Sequence, residues 1–204
     1  MAITTMIFDL GNVVLTNDWH YECPEKFQAY SDYFDITYDD MERGWWAFWP
    51  QFCTGKIMED EFWRGFLETA GAKKIDIEHA KKLWRKYQKP MDHMLDLLGR
   101  LKQHYRLAAL TTISKEWLDY KKEKYKLDSY FEVIVSSGYS GLTKPDPRIY
   151  EMVIERLNVK PEQCLFIDDS QKILSPAEKL GMKIILFSGQ SDLERDLKKL
   201  GIRY

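Results

Sequence analysis

Ile3-Thr4-Thr5-Met6-Ile7-Phe8-Asp9-Leu10-Gly11-Asn12-Val13-Val14 opens with an apolar run, meets a carboxylate and continues into a glycine. A short run of this kind, closed at once by a turn signal, reads as a buried strand with an acidic residue at its carboxyl end. The same reading applies to Arg106–Leu110, Glu132–Val135, Cys164–Ile167 and Lys183–Phe187. Each has a brief apolar centre bounded by polar or turn residues, which suits parallel strands covered on both faces.

Helical periodicity separates these runs. Met91–His104 puts Met94, Leu95, Leu98 and Leu101 on one stripe, and Arg148–Asn158 carries another apolar face. Ile173–Leu180 and Asp192–Leu200 are followed by Gly181 and Gly201, natural residues for ending a helix. Strand–helix alternation from residue 91 onward predicts right-handed crossovers and a doubly wound, mainly parallel α/β sheet, a Rossmann-like arrangement. Residues 17–90 contain no convincing strand, and a structureless loop of that length inside a domain is implausible. Their periodicity predicts helices over Glu25–Tyr33, Tyr38–Phe52, Met58–Ala70 and Ile77–Lys86. The expected organisation is therefore an α/β core made of residues 1–16 and 91–204, with a helical cap of residues 17–90 inserted after the first strand. Trp45, Trp46, Phe48, Trp49, Phe52, Phe62, Trp63 and Phe66 are expected mainly to fill the insert's own core, because a small unit needs large side chains to bury enough area.

Composition narrows the function classes. The chain of 204 residues is 45% apolar and 30% charged, with a formal net charge of -2. No Lys/Arg stripe points to nucleic acid. Lys121 and Lys122, set among Asp119 and Glu123, read as a solvated helix face. Three scattered cysteines and no CxxC pair exclude a disulfide framework and a structural zinc site. No apolar stretch reaches the roughly 20 residues needed to cross a bilayer, and the first apolar run has no basic lead-in of the signal-peptide kind. A cytoplasmic setting, with no membrane partner, is the expectation.

The polar residues at the strand ends form a set. Asp9 follows the first strand, Thr111-Thr112 the second, Asp168-Asp169 the fourth, and Lys144 stands beyond the third across a polar loop, Ser136–Thr143. In an open parallel sheet these ends surround one crevice, where ligands bind. Each residue taken singly has an ordinary role as a cap, a strand end or a loop charge. Together they bring carboxylates, hydroxyls and an ammonium to one place. Clustered carboxylates repel, and a divalent cation held by oxygens, Mg2+ rather than zinc, relieves them. Such a site accommodates a phosphate dianion, with the lysine and hydroxyls on its oxygens, and an Asp aimed at phosphorus can form an aspartyl-phosphate.

These segments resemble the motifs of the haloacid dehalogenase (HAD) superfamily. Phe8-Asp9-Leu10-Gly11-Asn12-Val13-Val14 is similar to its first motif, in the branch reading DLGN, which includes sugar-phosphate phosphatases of the glucose-1-phosphate type. Leu110-Thr111-Thr112, the Lys144 segment Gly141–Tyr150 and Phe166-Ile167-Asp168-Asp169-Ser170 resemble the second, third and fourth motifs, in family order. The resemblance implies a hydrolase with Asp9 as nucleophile and metal ligand, and Gly11 giving the metal its backbone carbonyl. It implies Thr111 and the Thr112 N–H on the phosphoryl group, and Lys144 neutralising Asp9 and phosphate. Asp169 would bind Mg2+ directly, and Asp168 through water or by pairing with Lys144. The expected substrate is a small phosphorylated metabolite, a sugar phosphate among the candidates.

Three departures from the family pattern matter. Gly11 stands where most phosphatases of the superfamily carry an Asp that protonates the leaving group and activates water, help typically worth about 10²–10⁴ in rate. A good leaving group, a substitute such as Asp18 or His20, or binding without efficient turnover would each account for this. Thr112 and Ile173 stand where side-chain amides are frequent. The competing enzyme class is a metal-free 2-haloacid dehalogenase, which the acidic pair Asp168-Asp169 disfavours beside an anionic substrate. The non-enzyme alternative is a phospholigand-binding protein on the same fold.

Overall fold

Strand residues with both faces covered should be buried throughout, and the central strands are. The structure, a computed structural model, describes residues 2–16, 23–91 and 93–204. β1 (Thr5–Phe8), β2 (Arg106–Thr111) and β4 (Cys164–Asp168) are buried along almost their whole length, while β3 (Val133–Ser136) and β5 (Lys183–Leu186) at the edges are partly exposed. All neighbours pair in parallel, in the order β3-β2-β1-β4-β5. The fold is thus the expected α/β sheet, with the strand reversal lying beside β1.

The period of two along the strands divides the core. Met6, Phe8, Leu107, Ala109, Leu165 and Ile167 point to one side; Ile7, Ala108, Leu110, Cys164 and Phe166 point to the other. The second side is covered by α8 (Pro147–Leu157) and α9 (Gln171–Lys179), through Ile149, Tyr150, Val153, Leu157, Leu174 and Ala177. The first is covered by α5 (Met94–Leu101), α6 (Lys115–Tyr125) and α10 (Gln190–Lys199). Local chemistry fixes the helix starts: the Ser114 hydroxyl accepts from the Trp117 N–H, and Asp146 accepts from Arg148 N–H directly before Pro147. The expected polar loop Ser136–Thr143 is instead a strand end followed by one helical turn, α7 (Ser137–Ser140). Its buried Ser137 hydroxyl accepts from Ile113 N–H and donates to the Cys53 carbonyl, so the turn is held from two sides.

Between β1 and β2 lie α1 (Pro24–Phe34), α2 (Tyr38–Phe52), α3 (Glu59–Thr69) and α4 (Ile77–Lys86). Entry and exit of this insert run side by side: Thr16 N–H donates to Lys89 O, Met91 N–H to Val14 O, and Leu15 bridges Pro90. α2 begins with a reciprocal Thr37–Asp40 capping box; the Thr37 hydroxyl and N–H hold the Asp40 carboxyl down at about 2. α2 and α3 pack so closely that a Cβ on Gly44 would lie 2.5 Å from Phe66 O.

The aromatic core of the insert is not self-contained. α6 of the main sheet drives Trp117, fully buried, into it. Trp117 stacks on Trp84 at 4.1 Å and meets Phe52, Phe62, Trp45 and Trp63 at 4.9–5.8 Å between ring centroids. Its indole N–H donates to Glu59 Oε1 at 2.9 Å; the same carboxylate accepts from Trp63 and pairs with Arg85 at 2.9 Å. The insert's aromatics pack on one another as expected, and Trp117, whose segment carries no strong apolar stripe to announce it, joins them from outside. Gly55, in the left-handed region at φ 70°, sits against Gly138 O, adding a second tight contact, between the segment after α2 and the α7 turn. Trp117→Ala should cost about 3–5 kcal/mol, the range for deleting a large buried aromatic, read as a lower urea midpoint. An unchanged midpoint would show that Trp117 does not tie the insert to the sheet.

Candidate active site

Asp9 lies directly after β1, Thr111 ends β2, Thr112 follows it, and Asp168 ends β4 with Asp169 next in the chain. β1 lies between β2 and β4, so these residues meet at one end of the sheet. Together with Gly11 and Lys144 they line a crevice of about 500 Å³, closed on its far side by Tyr38, Glu42, Trp45, Trp46 and Trp49 of α2. The structure therefore gathers every residue that the sequence singled out on the strand ends. Asp18 and His20 lie outside the described residues.

The centre of the crevice is a buried ion triad. Lys144 Nζ lies 2.9 Å from Asp9 Oδ1 and 2.7 Å from Asp168 Oδ2, and its side chain is 4% exposed. Burial pushes the Asp9 carboxyl above its ordinary range; Lys144 pulls it back, and Asp168 pushes it up again. Asp168 is likewise raised, by burial against the pull of Lys144. Burial by itself would lower Lys144, but the two carboxylates outweigh it and its pKa ends raised. One ammonium thus serves two buried carboxylates, and the site carries surplus negative charge.

Further donors set the angles. Leu10 N–H donates to Asp9 Oδ1 at 2.7 Å, so Lys144 and the backbone hold the same oxygen. Ser170 N–H holds Asp168 Oδ1 at 2.9 Å. Asn12, in the left-handed region at φ 57°, donates its amide to Asp169 Oδ2 at 3.1 Å. This explains the Asn of the first segment: it steers a carboxylate supplied by another strand. A Cβ on Gly11 would meet nothing within 4 Å, so open space lies where a longer side chain would stand.

Three carboxylates, of Asp9, Asp168 and Asp169, can offer oxygens all within 4.8 Å of one another. An all-oxygen donor set with excess negative charge fits a hard divalent cation such as Mg2+.

Sequence reasoning missed several crevice residues. Lys121, read as solvated, is 1% exposed and lines the crevice, its Nζ 5.7 Å from the Trp84 ring centre. Lys122 beside it does face outward and pairs with Asp128. Local charge pattern gave no sign that one of two adjacent lysines turns inward. Glu42 and Tyr38 were also missed, although they share a stripe of α2 with Trp46.

A family model described as haloacid dehalogenase-like hydrolase matches residues 3–181. Flavin mononucleotide hydrolase 1 of Arabidopsis thaliana is 32% identical over 76% of this chain and 62% of its own length. D-ribitol-5-phosphate phosphatase of Bacteroides thetaiotaomicron is 25% identical over 96% of this chain and 97% of its own. The chain spans less than two thirds of the first of these, and 36% and 17% of two further curated relatives. A HAD-family enzyme of Bacteroides thetaiotaomicron solved as a magnesium complex superposes with a TM-score of 0.77 at 25% identity, covering 96% of this chain and all of that one. Among the described residues, no helix is long and apolar enough to cross a membrane. With the motif order, the parallel sheet and the strand-end site in agreement with these matches, this chain belongs to the haloacid dehalogenase-like hydrolase family.

Proposed function

We propose that the protein is a Mg2+-dependent phosphatase of small phosphorylated metabolites, working through an aspartyl-phosphate on Asp9. The observation that carries this reading is the triad itself: a carboxylate with one oxygen doubly held, beside a buried ammonium and a second acidic pair. Lys144 and Leu10 N–H both engage Oδ1, which leaves Oδ2 as the attacking atom. In the first step Oδ2 bonds to phosphorus while the ester P–O bond breaks, its electron pair leaving with the alkoxide, which takes up a proton. In the second, water attacks the same phosphorus, freeing inorganic phosphate and restoring Asp9. Thr111 and the Thr112 N–H are positioned to hold phosphoryl oxygens, and Lys144 neutralises charge on both nucleophile and phosphate.

Asp9, Asp169 and the Gly11 carbonyl would hold Mg2+, with Asp168 linked through water or kept on Lys144. The cation would supply charge neutralisation for the carboxylates and the phosphoryl group. Residues 17–90 act as a cap, with α2 roofing the crevice. Gly11 provides no acid, so the leaving group must depart with a proton from solvent or as a weakly basic oxygen; the open space beside it admits water. The related D-ribitol-5-phosphate phosphatase supports a sugar or polyol phosphate as substrate class. The acidic pair disfavours dehalogenation of an anionic haloacid.

Wild-type protein with Mg2+ should hydrolyse members of a sugar, acyl and aryl phosphate panel, lose the activity in EDTA and regain it on adding Mg2+. Inactivity across the panel would refute the phosphatase reading, and full activity in EDTA the metal requirement. Asp9→Asn should lower kcat by ~10³-fold or more while the circular dichroism spectrum is kept; an unchanged kcat would remove Asp9 as nucleophile.

Lys144→Met leaves Asp9 and Asp168 buried without their cation. In EDTA it should cost about 3–5 kcal/mol, as expected for breaking a buried charge network. Both carboxyls would then be raised further above their unfolded value near 3.9. A carboxyl with a raised folded pKa contributes its stability while protonated and loses it as pH rises through that pKa. The deficit against wild type should therefore be larger at pH 8 than at pH 5; the opposite order would contradict the assigned pairing.

A further inference from the structure

We infer that Asn12 is a positioning residue for the cation: its amide turns Asp169 so that a single carboxylate oxygen is offered, which favours Mg2+ over Ca2+. The inference rests on the reading of Asp9, Asp168 and Asp169 as a Mg2+ site and names what selects the ion there.

The three carboxylates are not held alike. Asp9 Oδ1 takes Lys144 at 2.9 Å and Leu10 N–H at 2.7 Å. Asp168 is buried, with Lys144 on Oδ2 and Ser170 N–H on Oδ1. Asp169 is exposed, so packing does not fix its rotamer. What engages it among the described residues is Asn12, whose Nδ2 donates to Oδ2 at 3.1 Å. The orientation of the third carboxylate therefore depends on a side chain from the turn after β1.

That turn is built to present the amide. Val14 and Leu15 N–H both donate to Leu10 O, closing a loop with Asn12 inside it. Asn12 takes φ 57°, a left-handed conformation that Asn adopts more readily than most residues with a Cβ. β1 and β4 are adjacent, with Phe8 opposite Ile167, so the segments after both strands leave the sheet side by side. The amide has one workable orientation. Turned over, it would set its oxygen against the Asp169 carboxylate. As it stands, Asn12 Oδ1 is shut off from water and, among the described residues, accepts no hydrogen bond, which costs free energy. Glycine would take the same φ without that cost. What the side chain adds is the bond to Asp169.

The number of oxygens offered decides the ion. Ca2+ takes roughly six to eight oxygens in flexible geometry and accepts both oxygens of one carboxylate; Mg2+ demands a near-ideal octahedron and keeps several waters. An Oδ2 that already accepts an amide N–H is the poorer donor to a cation, so Asp169 is left to bind through Oδ1. Asp168 has both oxygens engaged and Asp9 has one, so none of the three offers an unengaged pair. Without the amide, Asp169 is free to swing and give both oxygens, which suits the larger ion.

The test titrates metal-free wild type, Asn12→Gly and Asn12→Asp with MgCl2 and with CaCl2, reading each affinity from the rise in melting temperature with ion concentration. Wild type should bind Mg2+ more tightly than Ca2+. Asn12→Gly keeps the backbone and removes the amide; its Mg2+ affinity should fall about tenfold while its Ca2+ affinity holds or rises. Asn12→Asp also tolerates the left-handed backbone but presents an acceptor, and should lower the Mg2+-to-Ca2+ ratio too. In an Asp169→Asn background Asn12→Gly should leave the ratio unchanged, because the carboxylate it steers is gone. A variant that weakens only the fold would shift both titrations alike. Wild type without a preference for Mg2+, equal losses for the two ions in both variants, or the same change of ratio in Asp169→Asn overturns the role of Asn12 while the cation site stands. Wild type that binds neither ion ends the metal reading and this inference together.

Discussion

The structure depends on one ammonium held between two buried carboxylates. Lys144 reaches Asp9 and Asp168 from a loop that belongs to neither strand, and all three side chains are largely withdrawn from water. Such a group of charges is costly to bury and only partly compensated, so it contributes little to stability on its own account. Its persistence makes sense only if the surrounding elements over-determine it. They do: β1 and β4 are adjacent and in register, Leu10 and Ser170 N–H groups fix the carboxylates, and Asn12 holds the acidic neighbour Asp169. A hydrophobic sheet that could fold with apolar strand ends instead places its surplus negative charge where a cation and an anionic ester would neutralise each other and the protein.

The roof over this centre is held by packing against the sheet's own helix. α2 is anchored through Trp117 of α6, whose N-cap Ser114 is separated from the strand-end threonines by Ile113 alone. Glu59 gathers the indole N–H groups of Trp63 and Trp117 and the Arg85 guanidinium, so that two polar edges of a dense aromatic cluster are satisfied where they converge. The distance from roof to strand ends is therefore set through a short covalent path, from Thr111 to Trp117, and a rigid stack of rings.

Legibility in the sequence followed the range of the interactions. Strands and most helices were readable because period and turn chemistry are local: α2 and α4 have the bounds their periodicity predicts, and the strands differ by a residue or two at their ends. The strand-end residues were readable because parallel topology brings such ends together whatever the details. Lys121 was not, since the charges around it in the chain, Asp119, Lys122 and Glu123, point to a solvated face while Trp84, near its Nζ, comes from another segment. Trp117 was missed for the same reason: α6 has a weak apolar stripe, and the ring's partners all come from residues 45–84. The Ser137 turn depends on Cys53, far away in the chain, and no local pattern could show it.

The shared core constrains how this fold could reshape its crevice. If α2 were docked only through its own insert, a shift of the whole insert could enlarge or shrink the crevice while the catalytic centre stayed fixed. Here a shift of α2 would have to move Trp117, and with it the start of α6 and the Thr111-Thr112 turn that lines the same crevice. Close-packed interiors transmit such displacements instead of absorbing them. The width of the crevice is then adjustable mainly through the side chains of the 38–49 stripe that line it, and not through its backbone. Roof and strand ends form one mechanical unit, joined by the ring stack and by the short segment from Thr111 to Trp117.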